Sequence, residues 1–244
     1  MYMTKESLLI TGGCSNSADT QFGGGFVKDY IKDNILIWPK IVAEKLNMKL
    51  LNVAMGAASN DYIENMIYDA IIENHNKYNC IVMIFWTSGQ RINLFDQDTI
   101  WDFVNFTNTD HNKNKKLKKI NVKKIINKSF RNMKRTKVLC EYYKIPLVQR
   151  VSLPLLHEPH WEDVKTWAMD HPDINELNLS WPEIYNGRWS SKYYKKSDIV
   201  SKELHPNQNG QKLIAQMFID SLNGEELEIL YDGRIHDGGG YVYD

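Results

Sequence analysis

With 244 residues and 43% hydrophobic content, the chain is long enough to bury one sizeable core. Thirty Lys and Arg balance thirty Asp and Glu, a formal net charge of +0, so nothing global argues for nucleic acid, a membrane surface or a strongly charged partner. The three cysteines, Cys14, Cys80 and Cys140, are odd in number and widely spaced, with neither a zinc pattern nor a disulfide framework, which fits a reducing compartment.

In chain order, Met1 to Glu6 is not a signal peptide and no apolar run approaches a membrane span. The expectation is a cytoplasmic product. A virion component made in a host cytoplasm reads the same way, and the many Asn and Lys residues hint at an AT-rich genome. Leu8 to Thr11 predicts a buried strand ended by Gly12-Gly13, and Gln21 to Phe26 a Gly-rich loop. Trp38-Pro39 opens a helix with Ile41, Val42 and Leu46 on one face. Lys49 to Val53 is the next strand, and Ala54 to Asn60 a loop of small residues. Ile63 to Ile72 is a second helix with Ile63, Ile67 and Ile71 in register. Cys80 to Trp86 is apolar throughout and the most strand-like run in the chain.

Phe130 to Tyr143 is a third helix, Ile145 to Val148 begins a fourth strand, and Asn209 to Leu222 is the closing helix with Leu213, Met217 and Phe218 inward. Continuous apolar strands alternating with amphipathic helices predict an α/β fold whose parallel sheet is covered on both faces. The domain reading is a single domain over residues 1–222, with an irregular aromatic-rich insertion at about 152–200 and a peripheral tail at 223–244.

Four loops fall where such a sheet collects its ligands, beyond the carboxyl ends of the strands. They hold Gly13-Cys14-Ser15, then Asn52 to Asn60, then Trp86 to Arg91, and lastly His205-Pro206 just before the closing helix. A hydroxyl on a turn needs a base to take its proton, and His serves near neutral pH. Ser15 is therefore the candidate nucleophile and His205 the candidate base, unless Ser15 only turns or caps the loop and His205 only opens a helix. Cys14 reads as a small buried side chain beside the turn or, less simply, as a thiol nucleophile.

On these blocks the sequence resembles the SGNH (GDSL-type) hydrolase family, over about residues 8 to 222. Gly13-Cys14-Ser15 matches the family's first block with Cys14 where Asp is usual; Asn52 to Gly56 matches its second; His205-Pro206 followed by Gly210 matches its last. The resemblance implies a three-layer α/β/α sandwich with a central, mainly parallel sheet, SGNH or flavodoxin-like. It implies ester hydrolysis without a metal or organic cofactor. Ser15 attacks an acyl carbon, His205 accepts its proton, and the amides of Ser15 and Gly56 bind the developing oxyanion. Two positions depart from the family. Ser88-Gly89-Gln90-Arg91 lacks the family's Asn, so Gln90 or Asn60 would supply the third donor. Lys202 stands where the orienting Asp is usual, leaving Glu203, or alternatively Asp198, as the acid. Asn60 is equally read as the cap of the helix starting near Tyr62.

Between the fourth strand and His205 lie Trp161, Trp167, Trp181, Tyr185, Trp189, Tyr193 and Tyr194. Rings can build a small core of their own, or stack on sugars. Trp181 and Trp189, with Arg91, are the candidate substrate-binding residues, and an O-acetylated glycan or another small acyl ester is the expected partner. His157, His160 and His171 do not make a metal site, because Pro159 denies them a common helix face. The Lys-rich stretch Lys113 to Lys137 reads as a helix with a solvated basic face rather than a nucleic-acid footprint. No nucleic acid and no membrane are expected as partners, and an oligomer stays open. The rival to an esterase is a protein that keeps this fold for binding or as a virion part without catalysis.

Overall fold

The computed structural model describes residues 5–19, 35–56, 58–87, 91–96, 99–105, 122–151 and 206–224. Their elements are β1 (Ser7–Gly13), α1 (Trp38–Lys45), β2 (Lys49–Asn52), α2 (Asn60–Asn74), β3 (Asn79–Trp86), β4 (Arg91–Asp96), β5 (Thr99–Asn105), α3 (Val122–Tyr143), β6 (Leu147–Val151) and α4 (Gln208–Leu222). The expected loop at residues 21–26, the insertion at 152–200 and the tail beyond 224 lie outside the described residues.

Among the described residues four strands form one parallel sheet in the order β2-β1-β3-β6. β1 and β3 are the central pair, in register from Ser7 opposite Asn79 to Gly13 opposite Phe85. Their continuous apolar sequence follows from burial on both faces. Leu8, Ile10, Cys80, Val82, Ile84 and Trp86 point to one core with Ile63, Ile67 and Ile71 of α2 and Phe130, Met133 and Cys140 of α3. Leu9, Met83 and Phe85 point to the other, with Trp38 and Val42 of α1 and Leu213, Ile214, Met217 and Phe218 of α4. The result is the expected three-layer α/β/α sandwich.

Because β2 lies on one side of β1 and β3 on the other, the strand order reverses between β1 and β3. The crevice beyond their carboxyl ends is the point where such sheets bind ligands.

Several boundaries differ from the sequence reading. α2 begins at Asn60 rather than near Tyr62, and its N-cap is Ser59, whose hydroxyl accepts from the Tyr62 amide at 3.3 Å. α3 begins at Val122, eight residues before Phe130. Pro146 lies before β6, which starts at Leu147. Arg91 is not in a loop: it opens β4, which pairs antiparallel with β5 as a separate two-stranded sheet. The alternation of Ile92 and Leu94 carried that signal. Among the described residues no helix is long and apolar enough to cross a membrane.

Candidate active site

β1 delivers the chain to the crevice and Gly13 lets it turn. A β-carbon on Gly13 would lie 2.4 Å from Ser17 Oγ and 3.0 Å from the Phe85 carbonyl, so only glycine fits between the turn and β3. The next residues fold into a tight turn in which the Cys14 carbonyl accepts from the amides of Ser17 (2.9 Å) and Ala18 (3.0 Å). Cys14, Asn16, Ser17 and Ala18 are buried; of this turn only Ser15 is partly exposed. The turn thus holds one hydroxyl-bearing residue toward solvent and the Cys14 thiol in the interior.

Three anchors fix the turn. Trp38 is fully buried, stacks on Phe218 at 4.2 Å, and donates its Nε1–H to Ser17 Oγ at 2.9 Å. Asn52, at the end of β2, donates from Nδ2 to the Ser17 carbonyl at 2.9 Å. Its Oδ1 accepts from Thr11 Oγ1 (3.0 Å) and the Ala54 amide (3.2 Å). Gln211, fully buried in the first turn of α4, donates to the Asn16 carbonyl at 3.3 Å and accepts the Trp38 amide at 2.8 Å.

The second loop is laced to the first through the Val53 amide on the Thr11 carbonyl (2.8 Å) and the Met55 amide on the Gly13 carbonyl (3.2 Å). Gly56 follows in a turn closed by the Ala58 amide on the Met55 carbonyl at 3.2 Å. This ladder continues the β1–β2 pairing past the sheet and carries Gly56 to the same rim as Ser15.

Asn60 spans from α2 to the end of β3. Its Nδ2 donates to the Thr87 carbonyl (3.0 Å) and its Oδ1 accepts the Thr87 amide (2.9 Å), in a buried setting. The carboxamide is therefore engaged with the Thr87 backbone, and the helix cap expected of Asn60 is supplied by Ser59. Among the described residues the buried Thr87 hydroxyl has no hydrogen-bond partner.

α4 enters from the far end of the sequence. Pro206 is buried, and the Asn207 side chain caps the helix by accepting from the amides of Asn209 (3.0 Å) and Gly210 (3.1 Å). Gln208 clasps both backbone groups of Leu36, at 2.8 and 3.1 Å. Together with Gln211 this docks the start of α4 against the Ser15 turn.

Of the residues singled out in the sequence, Ser15, Gly56 and Asn60 are brought to one rim. His205, Glu203, Asp198, Gln90, Trp181 and Trp189 lie outside the described residues, as do His157, His160 and His171; Arg91 is described by its backbone alone. Asn52, Trp38, Ser17 and Gln211 were not singled out as site residues. Gln211 left a trace, a polar residue on the apolar stripe that continues through Ile214 and Phe218. Among the described residues no group of three or more His, Cys, Asp or Glu side chains could hold a metal ion.

No protein-family model and no curated protein matches the chain. Among solved structures it is similar to a G-D-S-L family protein from Desulfitobacterium hafniense, with 14% identity over 88% of this chain and 98% of that one and a TM-score of 0.49. It is similar to the esterase EstA from Pseudoalteromonas sp., with 16% identity over 90% and 97% and a TM-score of 0.49. It is also similar to a lipase/acylhydrolase from Enterococcus faecalis, with 11% identity over 90% and 96% and a TM-score of 0.48.

Proposed function

We propose that this chain is a serine-dependent ester hydrolase of the SGNH type that removes a small acyl group, an O-acetyl, from a carbohydrate. The observation that carries the reading is the anchoring of the Ser15 turn. Ser15 alone of its turn reaches solvent, at the strand-order reversal, and the neighbouring Asn16 carbonyl is held by Gln211, six residues after His205.

In this reading Ser15 Oγ attacks the acyl carbon as His205 takes its proton, with Glu203 or Asp198 holding the imidazole. The oxyanion receives the amides of Ser15 and Gly56. Asn60 is already engaged with Thr87, so the side-chain donor is Gln90. The alcohol leaves with the proton from His205, and water, deprotonated by the same imidazole, releases the acid from Ser15. Trp181 and Trp189, with Arg91, would wall the sugar.

The test is a fluorophosphonate probe read by mass spectrometry, with p-nitrophenyl acetate as a general substrate. The adduct should fall on Ser15, and both Ser15→Ala and His205→Ala should lower turnover by about 10,000-fold or more. A second reading is favoured by Lys202 at the position of the usual acid: a fold kept for glycan binding without chemistry. It predicts no turnover by the unaltered chain and glycan retention unchanged by Ser15→Ala.

A further inference from the structure

Thr87 is 0% exposed, and among the described residues its Oγ1 has no hydrogen-bond partner. A hydroxyl taken out of water and left unpaired costs stability, and valine has the same shape without that cost. Packing alone does not account for such a group.

The residue is firmly placed. It follows β3 directly, and the Asn60 carboxamide engages both its amide and its carbonyl, at 2.9 and 3.0 Å. A residue whose N–H and C=O face one partner is extended, as in a paired strand, so Asn60 stands in for a strand beside Thr87. Side chains of extended residues alternate between the faces of a sheet. Trp86 points to the core under α2 and α3, and Phe85 to the core under α1 and α4. Alternation therefore sends the Thr87 side chain to the face of α1 and α4.

The Ser15 turn lies on that same face. Ser17 accepts the indole N–H of Trp38 in α1, and the Asn16 carbonyl accepts from Gln211 in α4. The turn is packed against the end of β3, since a β-carbon on Gly13 would meet both Ser17 and the Phe85 carbonyl. The register agrees: Gly13 is opposite Phe85, so Ser15 and Thr87 each stand two residues past the last pair of β1 and β3.

We propose that Thr87 Oγ1 donates a hydrogen bond to the acyl carbonyl oxygen of the substrate as that oxygen gains negative charge, a side-chain donor additional to Gln90. The assignment rests on the hydrolase reading. The hydroxyl has no bond to a described residue to give up first, and the Asn60 clamp fixes its backbone before the substrate arrives, which is the preorganisation that makes such donors effective. Asn60 is then a positioning residue that acts through Thr87.

The test compares Thr87→Val, which keeps the shape and removes the hydroxyl, with Thr87→Ser, which keeps the hydroxyl. Turnover of p-nitrophenyl acetate, fluorophosphonate labelling of Ser15 and the urea midpoint are read on each and on the unaltered chain. Thr87→Val should lower kcat by about 100- to 1,000-fold with KM changed by less than about threefold. Its urea midpoint should equal or exceed that of the unaltered chain, because no hydrogen bond within the protein is lost. Thr87→Ser should keep kcat within about tenfold. A Thr87→Val variant that turns over within about threefold of an active unaltered chain overturns this assignment alone. So does a lowered midpoint, which would make the hydroxyl a structural partner. An unaltered chain that neither turns over nor is labelled at Ser15 overturns the hydrolase reading and the assignment together.

Discussion

At the scale of single residues, the site depends on what does not fit as much as on what binds. Gly13 is held between Ser17 and the Phe85 carbonyl, so a methyl there must push either the turn or the sheet. Gly13→Ala should lower stability by about 1–3 kcal/mol, the usual cost of overpacking, read as a fall in the urea midpoint. Labelling of Ser15 should fall with it, since the displaced residues are the turn itself. Gly12→Ala should be milder: its β-carbon would meet only Ile67 and Ile63 side chains, at 2.9 Å and beyond. Ser15 is the complementary case, a residue left partly exposed because its neighbours are consumed by hydrogen bonds and burial. A sequence can nominate such a serine. It cannot show that Cys14, Asn16 and Ser17 face inward.

At the scale of elements, α4 shows how a distant helix is tied to an early loop. Its apolar stripe packs on α1 and the sheet, and Gln211 interrupts that stripe to join two backbone groups, the Trp38 amide and the Asn16 carbonyl. Gln211→Ala leaves both groups without this partner in the interior, each at a cost of about 1–3 kcal/mol. The expected outcome is a loss of about 2–4 kcal/mol in urea unfolding. If the proposed chemistry holds, kcat should drop more than KM rises, because the hydroxyl and the helix after His205 lose their common tether. An unchanged stability would mean that Gln211 does not carry the docking of α4. The hairpin of β4 and β5 is the element least legible beforehand. Arg91 reads with its loop because Ser88-Gly89 looks like the opening of a longer irregular segment, whereas the chain resumes pairing at once. Most helix starts were legible to within a few residues, and the miss at Asn60 has a plain cause. Ser59 and Asn60 are both good caps, and the choice depends on Thr87, a residue that follows another strand.

At the scale of the whole molecule, all three thiols are buried, Cys80 and Cys140 in one of the two cores and Cys14 beneath the Ser15 turn. Burial raises the Cys80 thiol and pushes Cys140 up to about 12, with Cys80 and Glu141 adding to the latter shift. At pH 8 Ellman's reagent should therefore leave the native protein nearly unlabelled and react with three thiols in urea. The sign of the linkage follows from the same shift. Cys140 holds its proton more tightly in the folded than in the unfolded chain, so its contribution to stability is complete below about pH 9 and is lost as pH rises toward 12. The melting temperature should fall above about pH 9, and Cys140→Ser should flatten that fall.

The amino-acid sequence by itself determined the layers of this protein. Unbroken apolar runs and helical stripes such as Ile63, Ile67 and Ile71 are local patterns, and they specify strands buried on both faces between helices. It also nominated Ser15, because a hydroxyl on a glycine turn after a strand sits at the sheet edge, and Gly56, which the resemblance to the SGNH family implied. Only the tertiary structure decided that β2 and β3 flank β1 and so place the strand-order reversal at the Ser15 turn. It alone decided that Asn60 spends its carboxamide on Thr87, and that Gln211 reaches Asn16 across nearly the length of the chain. The reason is that hydrogen-bond partners distant in sequence are chosen by packing. The local pattern that makes a helix or a strand does not encode which buried amide or carbonyl will be left for a side chain to satisfy.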